Sequence, residues 1–384
     1  MNFAITTMRK IIRFLKRNDI TNDDHIDDIV RQVYVEHPEI SLDDIWKIVN
    51  EYLNDLDDSD VSYTSGVEEI EEDDERIGQW LTRVEELRNK PQPAQRSCEW
   101  FEMRANMFTA SSDIANILGM GFEKGPAVYK HLLLKKNGHD LKGFKGNEAT
   151  RWGQKYEDII CQAYSQRTDS VVEEFGLIQH DTHYFIGASP DGICASGKNA
   201  GIMLEIKCPF RRVITGIPKE YYLVQMLIQL EVCDLEFCDF CECTIKEYPS
   251  EKEFLKDTLL EDPNKTKKDL EKGIIGEYHN PNKPASDPDN VIFVYPPMKL
   301  NPNEKKKWID EQDLNGLVFN RYIYWKIDVY SCIRIKRDRK WWAESFPKIK
   351  KAWRDVLLLR RDPEGIKTLL KRMKRGKDEC MFVD

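Results

Sequence analysis

The chain has 384 residues, 33% of them charged and 41% hydrophobic, and a formal net charge of −9. That length suffices for a sizeable core and for two or three domains. The absence of any run of about 18 apolar residues argues against a membrane span, and the net charge argues against a chain coated all over with nucleic acid.

Residues 1–55 read as three short helices. Ile5, Met8, Ile12 and Leu15 share one stripe, and Asn22 or Asp23 caps a second helix with Ile26, Ile29, Val30 and Val33 inward. Ser41 with Asp44 forms a capping box before Ile45, Ile48, Val49 and Leu53. Such a bundle packs on itself or on the core, or else serves as a partner or DNA-end module. The opening MNFAITTMRKIIRFLKR lacks the charge, apolar stretch and cleavage site of a signal peptide, so the ten cysteines fit a reducing compartment. Residues 56–96 read as an acidic linker and lead-in helix. Residues 54–75 hold eleven Asp/Glu and no Lys/Arg, the composition of a solvated hinge, with mimicry of a phosphate run as the other reading. A helix Trp80–Lys90 then meets the break Pro91-Gln92-Pro93.

The main domain is expected over 97–384, with a core at 97–245, an insertion at about 250–290, and C-terminal strands and basic helices at 291–384. Trp100, Met103 and Met107 share a helical face that reads as core, and Arg104 lies on another. Thr109-Ala110-Ser111-Ser112 suits the cap of a helix Asp113–Leu118, and a helix N-terminus beside an arginine suits an anion. Lys124, Lys130, Lys135, Lys136, Lys142 and Lys145 suggest a basic loop, either a solvated face or a track for a duplex backbone. A helix Ala149–Gln166 packs through Trp152, Tyr156, Ile159 and Ile160. Gly153 suits close approach of another backbone, and Glu157 reads as a surface residue. Strands follow near Val171–Ile178 and Tyr184–Gly187.

The stretch GASPDGICASGKNAGIMLEIKCPF, Gly187–Phe210, reads as a β-hairpin around Ser196–Gly201. The strand period places Glu205 and Lys207 on one face, with Leu204, Ile206 and Cys208 on the other. Asp191, at the end of the first strand, comes back opposite Glu205. Two carboxylates and a lysine make a hard-cation site with a spare positive charge, although solvated strands also carry Glu and Lys pairs. The helix Lys219–Val232 puts Gln225 and Gln229 on one face. Cys233, Cys238, Cys241 and Cys243 lack good zinc or cluster spacing, and a strand at Leu235–Ile245 makes them small core residues. Residues 250–290 show helical charge patterning over Glu251–Lys272 and then a loop rich in Pro and Asn. Strands are expected at Ile292–Tyr295 and Tyr322–Ile335. The helix Trp341–Arg361 turns Trp342, Phe346, Ile349, Trp353, Val356 and Leu357 inward, leaving Lys348, Lys350, Lys351, Arg354, Arg360 and Arg361 for DNA or for solvent. Residues 334–377 carry seventeen Lys/Arg against five Asp/Glu.

Pro190-Asp191 and Glu205-Ile206-Lys207 resemble the signature of the PD-(D/E)XK nuclease superfamily. WFEMRANMFTASSDIANILG (100–119), RWGQKYE (151–157) and YYLVQMLIQ (221–229) resemble, in order, motifs of its lambda-exonuclease or YqaJ-type viral recombinase branch. The resemblance spans roughly 97–245. It implies an α/β fold, a restriction-endonuclease-like core with a central mixed sheet flanked by helices. It also implies Mg²⁺, with Mn²⁺ as a substitute, held by Asp191, Glu205, the Ile206 carbonyl and Glu157. Lys207 and Gln225 would position the nucleophile, and Arg104, Ser111 and Ser189 would hold the 5′-phosphate of a DNA end.

The implied activity is exonucleolytic digestion of linear duplex DNA from 5′-phosphorylated ends, for viral recombination, replication or repair. The setting is intracellular, in the cytoplasmic factory or nucleus of an infected host cell. Implied partners are DNA ends, a single-strand annealing protein and further copies of the chain, and no membrane. A structure- or site-specific endonuclease on the same core is one alternative, and a non-catalytic DNA-binding or scaffold protein is the other.

Overall fold

The computed structural model describes residues 74–93, 97–123, 125–139, 146–212, 214–284, 287 and 290–379. The expected N-terminal bundle, nearly all of the acidic linker, and Lys124, Lys142 and Lys145 lie outside these residues. Apart from residues 215–217, the described residues form one compact unit.

Helix α1 (Asp74–Arg88) leads to α2 (Cys98–Ala105), β1 (Phe108–Thr109) and α3 (Asp113–Ile117). Part of the expected basic loop is helical, α4 (Pro126–Lys135), because Pro126 opens it at a position where no amide bond is lost. The long α5 (Glu148–Thr168) starts where the Asn147 side chain accepts from Thr150 N at 2.9 Å. It ends at Asp169, which takes a left-handed φ of 48°. Tyr156, Ile159, Ile160, Ala163 and Tyr164 recur at three- and four-residue spacing and form its buried stripe. Gly153, expected at a close backbone approach, faces open space.

Strands β2 (Ser170–Glu173), β3 (Ile178–Gln179) and β4 (Ile186–Ala188) are shorter than the alternation suggested. The hairpin strands are β5 (Gly192–Gly197) and β6 (Met203–Lys207). The stretch 186–197 therefore does not make one strand. The chain leaves a three-stranded sheet, ordered β1-β4-β3, and enters a seven-stranded one at Pro190-Asp191, so Asp191 precedes β5 rather than ending a strand. Gly197 and Gly201 take φ of 91° and 81° in the turn, and a Cβ on Gly197 would lie 2.1 Å from the Asp169 carbonyl oxygen.

Helix α6 (Glu220–Cys233) carries the chain from β6 across to β7 (Phe237–Glu247), which pairs with β6 in parallel. Next come α7 (Glu251–Lys256), β8 (Lys272–His279), β9 (Val291–Val294), α8 (Pro302–Asp310), the 19-residue β10 (Val318–Lys336), α9 (Arg339–Arg360) and α10 (Pro363–Glu379). The large sheet runs β2-β5-β6-β7-β10-β8-β9, mixed in direction as expected. The region expected as an insertion supplies one of its strands, β8, and β9 falls on the strand expected at Ile292–Tyr295.

One face of β6 packs with α6 and α9, where Met203 joins Val224, Ile228, Ile349 and Trp353 in a core. The other face packs on α5, where Leu204, Ile206 and Cys208 join Tyr156, Ile159 and Ile160. The sheet is thus a layer between helices, and each side buries an apolar face. Cys233, Cys238, Cys241 and Cys243 are fully buried, free thiols, as their spacing suggested. No helix among the described residues is long and apolar enough to cross a membrane.

Candidate active site

Gly192 pairs with Leu204, so Asp191 falls opposite Glu205 across the hairpin. Asp191 Oδ2 accepts from the Ile206 backbone N–H at 2.7 Å. Glu205 is 0% exposed, yet its carboxylate is surrounded by donors. Gln225 Nε2 donates to Oε1 at 2.6 Å and Gln229 Nε2 to Oε2 at 2.7 Å, from adjacent turns of α6. Lys207 Nζ also donates to Oε1, and to the Ile206 carbonyl at 3.0 Å, and lies 5.3 Å from the centre of the Tyr222 ring. The α6 face that covers β6 thus supplies amides at the one buried carboxylate of that strand, which satisfies a group otherwise costly to bury.

The charges of this cluster act on one another. Burial pushes the Asp191 carboxyl well above the usual range; Glu205 and Glu157 push the same way, and Lys207 and the Ile206 N–H oppose them. Glu157, on α5, is exposed, as its place in the sequence suggested, and its carboxyl is also raised, by partial loss of hydration first and by Glu205, against the pull of Lys207. Burial alone would lower Lys207, but Glu205 and Asp191 outweigh it, so the side chain stays an ammonium. Asp191, Glu205, Glu157 and the Ile206 carbonyl offer only oxygen ligands, and their crowding is of the kind a hard divalent cation relieves. Their chemistry fits such an ion, although no group of three or more His, Cys, Asp or Glu among the described residues already stands at metal-holding spacing.

Gln225, expected to position the nucleophile, has one amide N–H engaged on Glu205. Gln229, expected only as a companion on the same face, is an equal partner and also donates to the Ser189 carbonyl at 3.2 Å. Its spacing four residues after Gln225 was the available signal. Ser189 Oγ and Gln229 Oε1 are buried without a hydrogen-bond partner.

Arg104 stands in a second group, with Trp100, Asp113 and Lys136. Arg104 stacks its guanidinium 4.5 Å over the Trp100 ring, and burial lowers its pKa. The expected cap at 109–112 is not made by Ser111, which is exposed, and Ser112 at the N-cap makes no side-chain cap bond. The order is inverted: the Asp113 carboxylate reaches back to accept from Thr109 N at 2.9 Å and Thr109 Oγ1 at 3.0 Å. It is joined by Lys136 Nζ at 2.8 Å. Lys136, expected in a solvated or DNA-facing loop, is 4% exposed, and its ammonium also donates to the Arg104 carbonyl at 2.9 Å. Helix α2 holds no buried residue, so Trp100 and Met103 cover the core edge, and Met107 alone of that expected trio is fully inside. On α9, Lys348, Lys350 and Arg354 are exposed as expected, as is Arg361 at its C-cap. Lys351 pairs with Asp355, and Arg360 is committed to backbone carbonyls.

Residues 99–236 match the family model of the YqaJ-like viral recombinase domain. The chain is 33% identical over 330 residues to an uncharacterized protein of Acanthamoeba polyphaga mimivirus, an alignment covering 78% of this chain and 59% of that one. The chain therefore spans little more than half the length of that curated relative. Among solved structures, the alkaline exonuclease of Laribacter hongkongensis aligns at 20% identity and a TM-score of 0.40, over 73% of this chain and 99% of that one. A phage-related exonuclease of Haemophilus somnus 129PT aligns at 13% identity and a TM-score of 0.33, over 70% and 99% of the two chains.

Proposed function

We propose, for a chain whose residues 99–236 form a YqaJ-like viral recombinase domain, that the protein is a PD-(D/E)XK-type nuclease digesting linear duplex DNA from 5′-phosphorylated ends. The observation that carries the reading is the buried Glu205 carboxylate, clamped by Gln225, Gln229 and Lys207 beside Asp191. A strand that carried Glu and Lys only for solubility would leave both in water.

Asp191, Glu205, Glu157 and the Ile206 carbonyl would hold Mg²⁺, or Mn²⁺ in its place. When bound, the ion supplies Lewis acidity and a more acidic water. The protein's own groups do the rest. Gln225 and Gln229 fix the plane of the Glu205 carboxylate, and the Ile206 N–H fixes Asp191. Held beside them, Lys207 keeps its proton and offsets charge that gathers on the phosphate oxygens as the bond to phosphorus breaks. Arg104, with Ser111 and Ser189, takes the terminal phosphate and so selects ends over internal sites. Digestion of one strand leaves 3′ single strands, the substrate of an annealing protein in recombination, replication or repair of viral DNA.

The test compares linear duplexes bearing 5′-phosphate or 5′-hydroxyl with a covalently closed circle, each with Mg²⁺ or EDTA. Loss of linear DNA alone, fastest with 5′-phosphate and abolished by EDTA and by Lys207→Ala, is the expected result. Cutting of the circle would turn the assignment to an endonuclease. No metal-dependent cleavage of any substrate would leave a binding or scaffold role.

A further inference from the structure

We propose that Lys135 is a second phosphate-binding cation beside Arg104, and that the buried Lys136–Asp113 pair is the pedestal on which both stand. The inference deepens the end-selective reading and rests on it. It starts from charge. Lys136 and Lys135 both act on the Asp113 carboxylate, at 2.8 Å and 3.9 Å, and Asp113 and Lys136 in turn share the field of Arg104. Burial would raise the Asp113 carboxyl, but the two lysines hold it below the usual range, so the carboxylate is ionised and committed. Lys136, Lys135 and Arg104 therefore face one carboxylate, with the Arg360 guanidinium adjoining at the Lys136 carbonyl, so more than one positive charge is left over. A terminal phosphate monoester carries about −1.5 to −2 at neutral pH, whereas an internucleotide phosphodiester carries a single charge. The surplus matches the end of a strand and not its interior.

Geometry separates the roles. Lys136 is enclosed, with its ammonium spent on Asp113 and on the Arg104 carbonyl, so it acts through Arg104 as a positioning residue. Lys135 is 38% exposed and only loosely engaged, so its ammonium has donors left for an incoming anion. The pedestal is tied down from the far end of the chain. Arg360, on α9, donates from Nη2 to the Lys136 carbonyl at 3.0 Å and to the Ala105 carbonyl at 3.3 Å. These carbonyls end α4 and α2, so Lys136 and Arg360 neutralise two helix C-termini that would otherwise repel a phosphate.

The test is binding rather than cleavage. Short duplexes with 5′-phosphate or 5′-hydroxyl ends are titrated by fluorescence anisotropy in EDTA, where nothing is cut. Wild-type protein is expected to bind the phosphorylated end at least about tenfold more tightly. Lys135→Met should bring the two affinities to within about threefold without weakening the hydroxyl-ended duplex. The double variant Asp113→Asn/Lys136→Met replaces the ion pair with neutral groups of similar size, guards against a folding failure, and should do the same. Lys348→Met, on the exposed face of α9, should weaken both duplexes equally. A full phosphate preference surviving in Lys135→Met and in the double variant, but lost in Arg104→Met, overturns this inference and leaves the end-selective reading intact. A preference absent from the wild type, or surviving in Arg104→Met, overturns both.

Discussion

At the scale of single residues, the centre of the site is a carboxylate the fold has gone to some length to bury. Glu205 needs three side-chain donors because a buried unpaired charge costs several kcal/mol, and α6 provides two of them by placing glutamines one turn apart. Asp191 is less fortunate: burial and the nearby carboxylates both oppose its charge. Asp191→Asn keeps an oxygen to accept from Ile206 N while deleting that charge. It is expected to raise the melting temperature in EDTA by a few degrees, on the order of 1–3 kcal/mol, and to abolish cleavage. Calorimetry with a parallel digestion assay checks both, and a lower melting temperature would refute the account. Asp191, Glu205 and Lys207 could be read from the sequence because strand period and hairpin turn together bring them to one spot. Lys136 could not. A lysine in a lysine-rich stretch reads as solvated, and only the folded chain sets it against Asp113, 23 positions away.

At the scale of elements, the hairpin was readable because Gly197 and Gly201 stand where the turn needs positive φ. The break between β4 and β5 was not, since an apolar run does not say which of two sheets each half joins. The small sheet is fastened to α9 by imidazoles in the loop 180–183. His183 stacks 4.2 Å from Phe346, and His180 lies 6.0 Å from Trp342. Burial lowers the His180 pKa to about 4, with His183 adding to the shift. Because the folded value lies below the ordinary 6.5, the neutral ring contributes stability above about pH 6.5, lost as pH falls through about 4. The effect is on the order of 1 kcal/mol once solvent screening is allowed for. His180→Asn retains an acceptor for the Thr182 amide and should flatten the fall in melting temperature between pH 7 and pH 4. An unchanged slope would exclude His180 as its source.

At the scale of the whole molecule, the largest departure from the sequence reading is the segment 250–290. Its charged residues pattern like a helix, but Gly273, Ile274, Ile275 and Gly276 lie in β8, with Ile275 in the same core as Tyr156 and Ile206. What hid the strand is burial on both faces, which removes the alternation that marks a half-exposed one. The long β10 binds this part to the rest. It pairs with β7 through residues 325–336 and with β8 through residues 318–326, so the two partners overlap only at Trp325 and Lys326. Beyond that overlap one face of β10 divides, Ile333 and Ile335 packing near the site-bearing layer and Tyr322 and Tyr324 on Phe254, Ile274 and Ile309, whereas Ile323, Trp325 and Ile327 on its other face stay in the one core of Tyr156 and Ile206. Amide deuterium uptake along this single strand should therefore be slowest near Trp325, where both neighbouring strands pair over the shared core, and rise toward either end; a step in rate at Trp325 would refute the account. The outer strands then open only by loosening the core that also backs the strand holding Glu205.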